Sequence, residues 1–171
     1  MFNHLILTVA GPDRPGLVES VAAAVAAHGG NWLESRLIHL GGYFAGVVRV
    51  DVPAASHGAL RSELDGLAAR GLTVNLLPAV AVADPGREVT VTVTGLDHPG
   101  IVSQITAAVA RAGLNVEEFT SEVVSAPMSG EPLFTATARL SGPKDADLGT
   151  LRGNLEKLSA ELMVETVLTE E

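Results

Sequence analysis

Two tetrapeptides, Asp13-Arg14-Pro15-Gly16 and Asp97-His98-Pro99-Gly100, bring together residue types suited to holding a small zwitterion. An aspartate just ahead of a helix can accept hydrogen bonds from an ammonium group. The unpaired N–H groups and positive end of that helix favour a carboxylate. Pro15 and Pro99 bias the residue before them towards an extended conformation, and proline suits a first helical turn, where its missing N–H costs nothing. Glycine removes a side chain from that turn, so a ligand can approach the backbone. Asn31 and Asn115, each fifteen residues past a motif glycine, add a donor and an acceptor where the next strand opens. Together these groups suit an α-amino acid. A structural reading stands beside this one: an aspartate before a helix serves as a cap or turn residue, and Gly-Pro loops turn the chain.

The two tetrapeptides are copies. Leu7-Thr8-Val9-Ala10-Gly11-Pro12-Asp13 returns as Val91-Thr92-Val93-Thr94-Gly95-Leu96-Asp97, and half the residues of 7–32 and 91–116 are identical without a gap. The chain therefore reads as two units, 1–83 and 87–171, each near the lower size limit for folding alone. Such units are expected to lean on each other or to dimerise. Ala83-Asp84-Pro85-Gly86-Arg87 forms the short linker.

In the first unit, His4–Ala10 is a buried strand closed by Gly-Pro. Leu17, Val21, Ala24, Val25 and His28 recur at helical spacing until Gly29-Gly30. Asn31–Leu40 and a strand through Val52 flank a Gly41-Gly42 hairpin turn. Ser56 is placed to cap a second helix with Leu60, Leu64 and Leu67, and Leu72–Val82 is a strand interrupted by Pro78. The second unit repeats the order: Val89–Thr94, a helix over Pro99–Ala112, Asn115–Val124, Leu133–Leu140, a helix with Leu148, Leu151, Leu155 and Leu158, and Leu162–Leu168. Six extra residues fall in its Ser125–Pro132 hairpin. The order βαββαβ predicts an α+β fold, two tandem ferredoxin-like units, each a four-stranded antiparallel sheet with two helices on one face.

Composition narrows the function. The chain has a net charge of −9 and no basic cluster, which argues against direct binding of nucleic acid or an anionic membrane. It has no cysteine, and its five histidines form no close metal pair, so no metal site is expected. No nucleophile elbow, phosphate-binding loop or catalytic cluster is recognisable, so neither catalysis nor a cofactor is expected. RNA binding by a βαββαβ unit would need exposed aromatics, and aromatics make up only 4%. The apolar N-terminal run reads as a strand, not a leader, and no stretch has the length of a membrane span, so a cytoplasmic protein is expected. Trp32 reads as a core or interface residue and an optical reporter, and Glu34-Ser35-Arg36 as a contact between units.

The pattern Asp-x-Pro-Gly-[Leu/Ile]-Val after an apolar strand, followed by Asn31 or Asn115, resembles the ACT domain, over nearly the whole chain and twice. The tandem arrangement, with Asn31-x-x-Glu34-Ser35-Arg36 and Gly130-Glu131-Pro132-Leu133-Phe134, is similar to the glycine cleavage system transcriptional repressor group. The resemblance implies a non-catalytic regulator that binds a small amino acid, glycine- or serine-like, and acts through a protein partner such as a transcription regulator, as a homodimer. It makes Asp13, Arg14, Pro15, Gly16, Asn31, Asp97, His98, Pro99, Gly100 and Asn115 the ligand-binding candidates. Some amino-acid-binding members have asparagine in place of Asp13 and Asp97, and a polar residue in place of Gly11 and Gly95. A ligand-free interaction scaffold and a regulatory subunit of a separately encoded enzyme are the alternatives.

Overall fold

Apolar side chains alternate along the central strands and recur every three or four residues along the helices, so each can bury one face against the other. The computed structural model describes residues 1–81, 86–126, 130–162 and 164–170. It divides into two compact units, Met1–Ala81 and Val82–Glu171. The first runs β1 (Phe2–Pro12), α1 (Leu17–Ala27), β2 (Asn31–Leu40), β3 (Tyr43–Pro53), α2 (His57–Gly66) and β4 (Thr73–Pro78). The second runs β5 (Arg87–Leu96), α3 (Ile101–Arg111), β6 (Asn115–Ser125), β7 (Pro132–Gly142), α4 (Leu148–Leu162) and β8 (Val164–Glu170).

Each unit is a four-stranded sheet, in the orders β2-β3-β1-β4 and β6-β7-β5-β8, and all the pairings are antiparallel. Leu5, Leu7 and Val9 of β1 and Val48, Val50 and Val52 of β3 point to one face, where they pack with Leu17, Val21 and Val25 of α1 and Leu60 and Leu64 of α2. The second core is built the same way around Val89, Val91, Val93, Ile105, Val109, Leu151 and Leu155. Each fully buried aliphatic side chain contributes about 1.5–3 kcal/mol of transfer free energy. The expected α+β architecture, with the helices on one face, is the observed one.

Several local expectations fail. Pro15 and Pro99 lie ahead of the helices, not in their first turns: the N-cap residues are Gly16 and Gly100, with φ of 89° and 92°. Gly100, with ψ −4°, has the geometry of the third residue of a type II turn, which takes proline second and glycine third. Ser56 makes no capping hydrogen bond, because a 3-10 turn over Ala54–Ser56 already places it in helical conformation. The strand expected over Leu72–Val82 runs from Thr73 to Pro78, on the sheet edge, where a missing N–H is tolerated. Leu162 ends α4, and β8 begins at Val164. Residues 82–85, which include most of the linker, lie outside the described residues, as does 127–129 of the longer hairpin.

Candidate functional site

In both units the loop leaving the central strand is fixed by the end of the neighbouring hairpin. The Asp13 N–H donates to the Gly42 carbonyl at 2.9 Å, and the Asp97 N–H to the Pro132 carbonyl at 3.0 Å. Both carboxylates are exposed, and that of Asp13 stands 3.7 Å from His39 Nε2. Neither helix that follows has a side-chain cap. The first intrahelical bonds run from Ser20 N–H to the Gly16 carbonyl and from Gln104 N–H to the Gly100 carbonyl. By contrast, Asp147 accepts the Thr150 N–H at 2.9 Å and so caps α4. The capping role that the sequence allowed for Asp13 and Asp97 is thus not what they do. The Ile101 N–H donates to the His98 carbonyl at 3.5 Å, and the other N–H groups of the first turns of α1 and α3 face solvent or an anion.

The motif glycines are required by the backbone. A Cβ at Gly16 or Gly100 would meet nothing within 4 Å, yet the positive φ penalises any other residue. Space above the turn is therefore open for a different reason than close approach alone.

Arg14 and His98 occupy matching positions and act differently. A guanidinium nitrogen of Arg14 donates to the carbonyl of Arg70, at the end of the 3-10 turn Leu67–Arg70 that continues α2. It satisfies a carbonyl that the helix end leaves unpaired. His98 Nδ1–H donates to the Pro99 carbonyl at 3.1 Å, while its Nε2 is buried with no hydrogen-bond partner among the described residues. Nε2 is thus the hydrogen-bonding position of this ring that is left open.

The asparagines are not brought to these loops. Asn31 is in register with Asp51, and Asp51 with His4, near the start of β1, whereas Asp13 follows the far end of β1 at Pro12↔Tyr43. At about 3.3 Å per residue the two ends are roughly 30 Å apart. Asn115 is likewise in register with Ser141 and Ser141 with Glu88, while Asp97 follows Leu96↔Leu133. Trp32, beside Asn31 and packed on the core, shares that far end, so it does not report on its own unit's loop. The Asn115 amide donates to Glu117 Oε1 at 2.9 Å, and the buried Ser141 hydroxyl donates to the same oxygen. These two bonds, Ser141 first, hold the Glu117 carboxyl below the usual glutamate range.

Several contributors to these sites carry no mark in the sequence. The Gly42 and Pro132 carbonyls anchor the loops, and Gly71 crosses so close to β1 that a Cβ on Gly11 would lie 2.3 Å from its carbonyl oxygen. No side-chain pattern marks backbone contacts of this kind. Glu117 and Ser141 lie far apart in sequence and meet only through strand register. Glu34-Ser35-Arg36 lies along β2, where a bulge at Trp32/Glu34 sets Glu34 against Arg49 at 3.3 Å; a matching bulge sets Glu118 against Arg139 at 3.6 Å. Among the described residues no group of histidines and carboxylates could hold a metal ion, and no helix is long and apolar enough to cross a membrane.

Duplicated βαββαβ units with an uncapped helix after an Asp-x-Pro-Gly turn define a class of small tandem α+β modules. The ACT domain model matches residues 3–75 and 87–169, and the chain belongs to that family. It is 25% identical to the glycine cleavage system transcriptional repressor of Escherichia coli K12 over 166 residues, 94% of this chain and 86% of the repressor. In structure it is similar to an unknown protein from Galdieria sulphuraria, with TM-score 0.89, 30% identity, and coverage of 100% of this chain and 99% of that one. A solved structure of a candidate glycine cleavage system transcriptional repressor gives TM-score 0.71 at 19% identity, covering 100% of this chain and 98% of that one, and so shares the fold.

Proposed function

We propose that this chain is a non-catalytic cytosolic regulator that binds a small amino acid, of the size of glycine or serine, and acts by contact with a protein partner. The similarity to the Escherichia coli repressor supports a regulatory role, with a transcription regulator as the partner class. The acidic chain, at −9, favours an indirect effect on transcription over its own contact with DNA.

One observation carries the ligand reading: each unit has an uncapped helix N-terminus behind a positive-φ glycine, with an exposed aspartate three residues before that glycine. The two loops are not equivalent. Glu19 stands in the first turn of α1 and opposes a second carboxylate there, whereas Ser103 occupies the matching place on α3. Arg14 is engaged with Arg70, but His98 Nε2 has no hydrogen-bond partner among the described residues. The second unit is the amino-acid site in this reading: Asp97 takes the ammonium group, the α3 N–H groups take the carboxylate, and His98, Pro99 and Gly100 shape the turn. Asp13, Arg14, Pro15 and Gly16 form a loop held by internal contacts, which fits a scaffold role for the first unit. Asn31 and Asn115 join such a site only where another copy of the unit supplies them.

Calorimetry of the full chain against the twenty amino acids tests this. A ligand of glycine or serine size should bind, and Asp97→Ala should weaken it about tenfold or more, as expected for loss of a charged hydrogen bond. Asp13→Ala should change it little. No heat with any amino acid at millimolar concentration would leave the scaffold reading in its place.

A further inference from the structure

The outer faces of the two sheets, turned away from the helices, differ sharply although their backbones match. Strand register aligns them position by position. Ile6, Ala10, Ile38, Ala45, Val47 and Leu77 stand where the second unit has Thr90, Thr94, Glu122, Thr135, Thr137 and Thr169. These six run the same way, apolar in the first unit and polar in the second, while Asn75 against Val167 runs the other way. Leu40 and Tyr43 extend the apolar face beyond the Ile38–Ala45 pair, and they are 75% and 60% exposed. Ile38 is 58% exposed, Leu77 47% and Val47 44%.

The second unit folds with polar residues at these six positions, although Leu96, Val124 and Val167 keep part of its outer face apolar. The apolar side chains at the six positions of the first unit are therefore not what its core requires, and a contiguous exposed apolar patch marks an interaction surface. Its polar residues are largely matched among themselves: Asn75 donates to Thr8 Oγ1 at 3.1 Å, and Glu34 lies 3.3 Å from Arg49 and 3.5 Å from Arg36. With Asp51, the acidic and basic groups of this face cancel. The second face carries Glu88, Glu118, Glu122 and Glu165 against Arg139. Of the two, only the first lets two copies of a −9 chain meet without like-charge repulsion.

We infer that the outer face of the β2-β3-β1-β4 sheet is the dimer interface of this protein, and that its occupant is the same face of a second copy. Four strands about 4.8 Å apart and about 3.3 Å per residue long give a footprint of roughly 600 Å². With side-chain relief, that approaches the ~800 Å² per partner of a stable interface. A patch that meets its own copy is self-complementary about a two-fold axis, and two such sheets stack about 10 Å apart. The inference needs no amino-acid ligand and stands apart from the regulatory reading.

Sedimentation equilibrium of the full chain, without added amino acids, tests it. Ile38→Glu/Ala45→Thr/Val47→Thr gives the first face the residues with which the second unit already folds, so its circular dichroism should match that of the parent. The parent should be a dimer at micromolar concentration, and the triple variant should dissociate about 100-fold more readily, because a carboxylate would enter the contact. Ile38→Glu alone should act in the same direction, and Thr135→Ala/Thr137→Val should leave the association unchanged. A parent that stays monomeric up to about 100 µM would overturn the inference. So would a triple variant that remains dimeric, which would put the contact elsewhere, such as on the β2 edge, or an association altered only by the second-face variant.

Discussion

At the scale of single residues, Glu117 is a described side chain whose protonation the fold controls through partners on both strands of the β6–β7 pair. Ser141 and Asn115 donate to its carboxylate, so its folded pKa lies below the unfolded value of about 4.3. A depressed pKa adds stability that is complete above the unfolded value and fades as pH falls through the folded one. Thermal melts of the second unit should therefore weaken from about pH 5 downwards. Glu117→Gln should be less stable at neutral pH and show a shallower slope in that acid window. An unchanged slope would remove Glu117 from this role. The sequence marked Asn115 as a ligand group because residue type and spacing were all it offered. Its amide partner, Glu117, is two positions away, but the buried Ser141 that fixes Glu117 arrives only through β6–β7 register. Gly16 and Gly100 were legible as special, although for ligand approach; the positive φ is set by the turn that Pro15 and Pro99 begin, which residue types alone did not reveal.

At the scale of elements, strands and hairpins could be read because alternation and Gly-Gly are local signals. Gly41 and Gly42 both have positive φ, as a two-residue hairpin turn demands. Helix starts were less legible. A Pro-Gly pair is consistent with a first turn or with a type II turn just before it, and Ser56 looks like a cap until the chain ahead of it is already helical. Contacts between backbones were not legible at all. Gly11 lies within β1, where any side chain would be expected, yet the Gly71 carbonyl that ends the 3-10 turn fills the place of its Cβ. Gly11→Ala should force β1 and the α2–β4 connection apart and cost about 2–3 kcal/mol, in the range of an overpacked site. Gly58→Ala, where a Cβ would meet nothing within 4 Å, should be neutral or stabilising. Chemical denaturation of both variants checks the pair, and equal stabilities would mean that β1 and Gly71 yield easily.

At the scale of the whole chain, duplication was the strongest signal in the sequence, and it set the fold twice over. What duplication hides is divergence, since an alignment of repeats draws the eye to what is shared. The sheet faces, the Arg14/His98 exchange and the Glu19/Ser103 exchange become visible only when strand register and contacts say which positions correspond and what each touches. The two cores have no residue in common: one gathers Leu5 to Leu76, the other Val89 to Leu158. Each unit therefore has a hydrophobic core of its own. Leu60, 0% exposed on α2, is the place to test this. Leu60→Ala removes buried methyl groups and should destabilise the first unit by about 2–5 kcal/mol. Hydrogen exchange should then quicken across β1, α1, β3 and α2 while the amides of β5, α3 and β7 keep their protection, since local stability follows local packing. If protection falls equally in both units, the chain unfolds as one cooperative body, and the separate cores do not imply separate stabilities.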